Sequence, residues 1–301
     1  MFVIKYKNFF FLLSGILIVA SIWSFWNYGL KLGTDFTGGS ILEVAYSGTR
    51  PTADTVRNSL APLNLGTTAV QLAGDHDVII RFRTLTEAEH VAVSKVLPAS
   101  TDATKQAPTE KRFSSIGPTI GKELARRGIL AIVLVVILII LFVAFAFRKV
   151  SRPVSSWKYG IATFIALLHD VIIPTGVFSY LSAARGYEAD ALFLTGLLTI
   201  LGISVHDTIV VFDRIRENLK KNVAPTFAET VGQSLSQTFS RSINTSLTII
   251  FVLVILFLYG AAATRDFSLL MAIGVLVGTY SSIFIASPLL VVWQKWSSRV
   301  K

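Results

Sequence analysis

Cysteine is absent from the 301 residues. That excludes disulfide-stapled domains, thiolate metal sites and cysteine nucleophiles. Charge is also scarce, at 15% of residues, and acids are the rarer sign, 18 against 28 bases. The four histidines are not clustered at metal-ligand spacing, and no nucleophile–base pair or metal constellation is found, so a non-enzymatic role without a metal is expected. Nor does the chain carry a phosphate-cradling loop. Gly38-Gly39 is followed by a strand pattern, with no Lys-Ser/Thr and no helix.

Apolar sequence fills the space that charge leaves. Hydrophobic residues make up 52% of the chain and mean hydropathy is +0.63, too apolar for an ordinary soluble domain. Six runs are long enough to cross a bilayer: 9–28, 128–147, 159–181, 191–212, 243–262 and 267–292. The first is longer than the core of a signal peptide and lacks a small-x-small cleavage pattern, so an uncleaved anchor is expected.

Basic residues set the expected orientation. With the N-terminus inside, cytoplasmic segments hold 14 basic residues, from Lys5 and Lys7 to Lys301, against Asp213, Glu217 and Glu229. The two short outer loops hold one basic residue each, Arg185 and Arg265. The expected topology is N-in and C-in. The net charge of +10 then reflects orientation and contact with anionic lipid, with no need of nucleic acid.

Residues 29–127 form the one large non-membrane segment. Extended or strand patterns at 40–46, 68–72, 78–83 and 111–115 alternate with helical patterns at 52–60 and 86–96. Thr52 or Asp54 suits the first N-cap; Thr86 with Glu89 suits a capping box at the second. This βαββαβ order predicts a ferredoxin-like α+β unit. Asp35, Thr37, Gly38 and Gly39 read as a tight turn before the first strand, with Asp35 capping backbone amides. His76 and His90 read as exposed loop and helix residues. Gly117-Pro118 and Gly121 precede a helix that continues into the second run, either as a hinge or as a plain connection. The expected division is 1–28 tail and first span, 29–127 extracytoplasmic unit and connector, 128–292 remaining bundle, and 293–301 cytoplasmic tail.

The spans contain ionisable residues at costly depth. His169-Asp170 lies near the middle of the third run, where the acid either packs helices by hydrogen bonding or joins an ion pathway. In the fourth, Asp207 is about 24 Å of helical rise from Ala191, still within the membrane. Thr195, Thr199, Gly202 and His206 fall along one stripe, with Gly196, Ile203, Asp207 and Val210 beside it, a face of small and polar groups fit to meet other helices or a wet cavity. Beyond it, Asp213 and Arg216 suit an i,i+3 salt bridge, and Thr226 with Glu229 a further capping box. The fifth run opens with Gln237, Arg241, Asn244, Thr245 and Thr248 on one face. Arg241 alone reads equally as a snorkelling residue, but the continuing polar face suggests packing against His206–Asp207. Gly274, Gly278, Ser281, Ser282 and Ala286 allow close packing of the last run.

Several of these stretches together resemble the SecF family, the smaller subunits of the bacterial SecD–SecF protein-export complex. They are Leu32-Gly33-Thr34-Asp35-Phe36-Thr37-Gly38-Gly39; Gly117-Pro118 with Gly121 and Glu123-Leu124; Leu168-His169-Asp170; the run from Asp207 to Asn218; and Ser240 to Ser246. The resemblance spans the chain and implies one six-span half of a twelve-helix core of the RND superfamily, with SecD as the other half. It implies use of the proton-motive force to assist late movement of preprotein emerging from the SecYEG channel, with possible further inner-membrane export factors as partners. No cofactor beyond the proton gradient is implied. An essential intramembrane acid is expected at Asp207, with Arg241 and Thr245 on the next span. Asn244, His206, His169 and Asp170 complete the expected relay. His206 departs from the family's usual Asn and introduces a group able to titrate near neutral pH. Two other readings remain: a non-motor assembly scaffold, and half of an RND-type small-molecule or lipid transporter.

Overall fold

Helices long and apolar enough to cross a membrane number six among the described residues of the computed structural model: Lys7–Tyr28, Pro118–Ala146, Ser156–Arg185, Ala191–Lys220, Phe227–Tyr259 and Thr264–Trp296. The structure describes residues 2–66, 68–102, 106–148 and 154–299. Lys149, Arg152 and Lys301, three of the basic residues in the orientation argument, lie outside these. The chain divides into two units, one comprising 1–31, 130–188 and 192–301, the other 32–129 with 189–191.

The first unit is the helical bundle. Its third, fourth and sixth spans are the most buried, whereas the second and fifth are largely exposed. A core of Val3, Val143, Tyr159, Phe212, Ile215, Leu235, Ile283 and Leu290 draws on every span except the first. Glycines let helices approach closely. A Cβ on Gly176 would lie 2.4 Å from the Ser21 Cα, and one on Gly274 would lie 2.1 Å from Ile200 Cδ1. Close packing of the last span through Gly274 and Gly278 is therefore as expected. Unforeseen is its interruption. The α-helix Ala262–Ser281 gives way to a π-helical turn, Ser282–Ala286, before Ser287–Arg299 resumes α-helix.

The second unit is the expected ferredoxin-like βαββαβ fold. Strands β1 (Gly39–Ala45), β2 (Ala69–Ala73), β3 (Asp77–Phe82) and β4 (Thr109–Ile116) form one antiparallel sheet in the order β2-β3-β1-β4. Leu42 and Val44 of β1 alternate onto the same face as Val78, Ile80 and Phe82 of β3. They bury against Val56 and Leu60 of helix α1 (Ala53–Leu60) and Val93 of helix α2 (Glu87–Val96). Period-two alternation under two amphipathic helices is why the core forms here. Thr52, not Asp54, caps α1, and Thr86 with Glu89 forms the full capping box of α2. His76 is exposed as expected, whereas His90 is not. Its ring stacks on Phe113 at 3.7 Å and bonds Glu110 at 2.9 Å, because β4 brings both alongside the helix.

Candidate functional site

The glycine motif is a backbone interlock. In place of the expected tight turn, Thr34–Thr37 forms a single helical turn, and Gly38 and Gly39 follow with φ of 80° and 142°. Side chains resist both conformations. Space excludes them as well: a Cβ on Gly38 would lie 2.6 Å from the Pro118 Cα. One on Gly121 would lie 2.8 Å from the Phe36 carbonyl oxygen. Gly38 and Gly121 thus press the motif against the first turn of the helix that Pro118 opens, where proline is tolerated for lack of an amide partner. Gly117 has open space around it. Contrary to expectation, Asp35 does not cap its own turn but accepts from one backbone amide of a distant segment. Its Oδ2 accepts from the Ala191 amide at 2.9 Å, and the Gly33 amide donates to the Ala189 carbonyl at 2.7 Å. Ala191 begins the helix that carries Asp207.

Inside the bundle, two carboxylates are buried in different ways. Asp170 is fully enclosed. Its Oδ1 lies 2.9 Å from His169 Nδ1; its Oδ2 accepts from Ser281 at 2.7 Å and from Ser204. His169 is equally buried, its Nε2 has no hydrogen-bond partner, and its ring stacks on Tyr280 at 5.9 Å. Donors from the fourth and sixth spans therefore converge on an acid of the third. Three donors around one carboxylate offset the cost of removing it from water.

Asp207 is only 4% exposed, yet its neighbour His206 has a 72% exposed side chain, with Nδ1 3.8 Å from Asp207 Oδ1. The Asp207 Oδ2 has hydroxyls of Thr279 at 3.4 Å and Ser246 at 3.5 Å, and these two hydroxyls bond each other at 2.5 Å. Asp207 thus sits at the border between the bundle interior and an outer face.

The fifth span corrects one expectation. Arg241, Asn244, Thr245 and Thr248 do not turn toward Asp207; all four are exposed, and Ser242 and Ser246 face inward instead. The reason is steric. Hydroxyls occur on both faces of this helix, and the smaller Ser pair permits the close approach that an inward Arg would prevent. The register is antiparallel, fixed by Asn218–Ser234 at 2.8 Å, Arg214–Gln237 at 2.6 Å and Asp207–Ser246. Thr245 is consequently level with Asp207, and Arg241 lies one turn away toward Arg214. Thr195, Thr199, Gly202 and His206 of the fourth span are exposed too. Arg241, Thr245 and the His206 stripe are thus exposed polar groups on the two helices that meet at Asp207 and Ser246.

Further along the fourth-span helix, Asp213 pairs with Arg216 as expected, while Glu217 takes Arg214 at 2.5 Å and Lys221 at 2.6 Å. Thr226 caps the fifth-span helix through the Glu229 amide at 3.2 Å. Among the described residues no group of acids and histidines suits a metal ion. Sequence reasoning passed over Ser204, Ser246, Thr279 and Ser281 as site residues. One signal for them exists: hydroxyls recur at helical spacing at Ser204–Thr208, Ser242–Ser246 and Thr279–Ser282.

Six apolar helices around buried carboxylates, with a ferredoxin-like unit inserted after the first, define a multi-pass membrane protein. The family described as protein export membrane protein SecD/SecF, C-terminal, matches residues 96–296, and the SecD/SecF GG motif matches residues 23–49. The SecF subunit of the protein translocase from Thermobaculum terrenum is 40% identical, covering 97% of this chain and 93% of that one. Its counterpart from Synechocystis is 36% identical over 95% and 92%. The crystal structure of SecDF from Thermus thermophilus, described as a translocon-associated membrane protein, superposes with a TM-score of 0.81 at 30% identity. It matches 97% of this chain, which spans only 38% of that longer polypeptide. The chain belongs to the SecF family of protein-export membrane proteins. Membership carries a role in protein export at the bacterial inner membrane.

Proposed function

We propose that this chain pairs with a SecD-type subunit and uses the proton-motive force to assist preprotein movement beside a SecYEG channel. The observation that carries the reading is a set of outward polar groups: exposed Arg241, Thr245 and His206 lie on the two helices that meet where Ser246 reaches the buried Asp207. A guanidinium and a row of hydroxyls facing lipid are costly. A second membrane subunit covering those groups removes the cost and places its own groups beside Asp207. The length of the SecDF chain of Thermus, of which this chain matches under two-fifths, supports a homologous second half as the occupant.

In the assembled complex Asp207 takes up a proton from one side and releases it to the other. Arg241, brought near by closure of the interface, favours the ionised form and expels the proton. Thr245, Asn244 and His206 line the route; His169 and Asp170 hold the inner pair. One charge moved through 100 mV is worth about 2.3 kcal/mol, enough to bias a two-state movement. The distribution of basic residues supports an N-in, C-in orientation with residues 29–127 extracytoplasmic, where emerging preprotein would be met. The role is non-enzymatic and needs no cofactor.

The test is export into proteoliposomes containing this chain, its SecD-type partner and the channel. Asp207→Asn is expected to assemble normally but lose the stimulation given by an imposed proton gradient. Full stimulation in that variant overturns the reading.

A further inference from the structure

The sixth span contributes a hydroxyl to each carboxylate just before its helix changes type. Thr279 reaches Asp207 at 3.4 Å and Ser281 reaches Asp170 at 2.7 Å. Ser282 bonds Thr208 at 2.8 Å and is the first residue of the π-helical turn, whose closing Ser287 hydroxyl donates to the Ser282 carbonyl at 3.1 Å. Between Thr279 and Ser281, Tyr280 donates to the Phe10 carbonyl at 2.9 Å and anchors this turn to the first span.

Each of the two hydroxyls also has a second acceptor within its own helix, and Thr279 in addition shares a bond of 2.5 Å with Ser246, which itself reaches Asp207. Thr279 Oγ1 lies 2.9 Å from the Val275 carbonyl, and Ser281 Oγ lies 3.0 Å from the Gly278 carbonyl. A hydroxyl has one proton to give. An ionised carboxylate is the stronger acceptor and claims it. Once the acid is protonated, the carbonyl of the preceding turn competes successfully. A Ser or Thr bonded back to that carbonyl bends its helix, and π-helical turns are common where helices adjust at functional sites.

We propose that Thr279 and Ser281 are positioning residues that transmit proton loading of Asp207 and Asp170 to the π-helical turn at Ser282–Ala286, moving the last part of the sixth span. The inference rests on the proton-coupled reading above and adds the element that responds. The titratable or charged groups facing the two acids are His206 beside Asp207, with Arg241 one turn away on the outer face, and His169 beside Asp170, with Tyr280 stacked on its ring. From the fourth and fifth spans the facing groups are hydroxyls, Ser204 and Ser246. Thr279 and Ser281 belong to neither titrating pair, so their removal leaves both acids and both histidines in place.

The absence of native cysteine allows clean labelling on either side of the turn. Leu276 and Trp296 are both exposed, and Leu276→Cys with Trp296→Cys would carry spin labels in the full complex reconstituted in lipid. The expected result is a label-to-label distance that shifts between acidic and alkaline pH. Thr279→Val with Ser281→Ala abolishes the shift, and Thr279→Ser with Ser281→Thr restores it. An undiminished shift in the hydroxyl-free variant overturns the proposal, as does a parent complex with no shift. Should the double variant fail to fold, Ser281→Ala alone is read by the infrared carbonyl band of protonated Asp170, assigned with Asp170→Asn. A displaced band restored by Ser281→Thr supports the proposal, and an unmoved band overturns it. Export measured on the same complexes separates the two ideas. Indifference to the proton gradient defeats the proton-coupled reading, whereas a persistent distance shift without the hydroxyls defeats this one.

Discussion

The Asp35 carboxylate accepts a hydrogen bond of 2.9 Å from the backbone amide of Ala191, 156 residues further along the chain. An acid there satisfies one of the orphan amides of a helix N-terminus and interacts favourably with the helix dipole. Replacement by Ala is expected to cost about 1 kcal/mol of stability. Asp35→Asn, which keeps the acceptor, recovers most of it. Thermal unfolding of the full chain in detergent, comparing the two variants, checks the prediction.

Gly38 and Gly66 make a matched pair. Both have positive φ, 80° and 76°, but a Cβ at Gly38 meets Pro118 backbone whereas one at Gly66 meets nothing within 4 Å. Gly66→Ala should show only the conformational penalty, about 1 kcal/mol. Gly38→Ala adds overpacking against backbone that has no rotamer to yield, about 1–3 kcal/mol more. Equal melting temperatures for the two variants would refute the interlock.

Glu89 governs an acid-sensitive part of the ferredoxin-like unit. Its hydrogen bond from Arg83, aided by the Thr86 amide and hydroxyl, holds the carboxyl down at about 2, against an ordinary 4.5. The unfolded chain therefore binds this proton first as pH falls. The contribution is complete above pH 4.5 and disappears as pH drops toward 2. Unfolding midpoints measured across that window should decline less steeply in Glu89→Gln than in the parent.

Arg241 separates the two possible placements of the fifth-span polar face. Because the side chain is exposed and makes no hydrogen bond or ion pair among the described residues, Arg241→Gln should change the stability of the isolated chain by less than about 0.5 kcal/mol. In the complex, where a partner covers this face, the same variant should weaken proton-gradient stimulation of export. A large loss of stability in the isolated chain would return Arg241 to the bundle interior.

Much of the architecture was legible because its signals are local. Runs of membrane-spanning length, period-two alternation at Leu42–Val44 and Val78–Phe82, and the Thr86–Glu89 box are each contained within a few residues. So were the costly acids, Asp170 and Asp207, since depth within an apolar run follows from counting. The partners of those acids were not legible. Arg241 and Ser242 are adjacent in sequence and 100° apart on the helix, and each belongs to a polar face. Only the approach of neighbouring helices decides which face turns inward, and it selects the smaller side chains of Ser242 and Ser246. The same holds for Thr279 and Ser281, whose hydroxyls have acceptors in their own helix and need no distant partner.

By itself the sequence determined six membrane spans, the ferredoxin-like unit, the family and the two buried acids, because hydropathy, periodicity and dense local motifs are properties of contiguous residues. Tertiary structure alone decided that Asp35 caps Ala191, that Gly38 and Gly121 interlock two backbones, that Arg241 faces outward, and that the sixth span supplies a hydroxyl to each acid. These depend on which helix faces meet and how closely, and close approach is set by excluded volume between elements far apart in the chain.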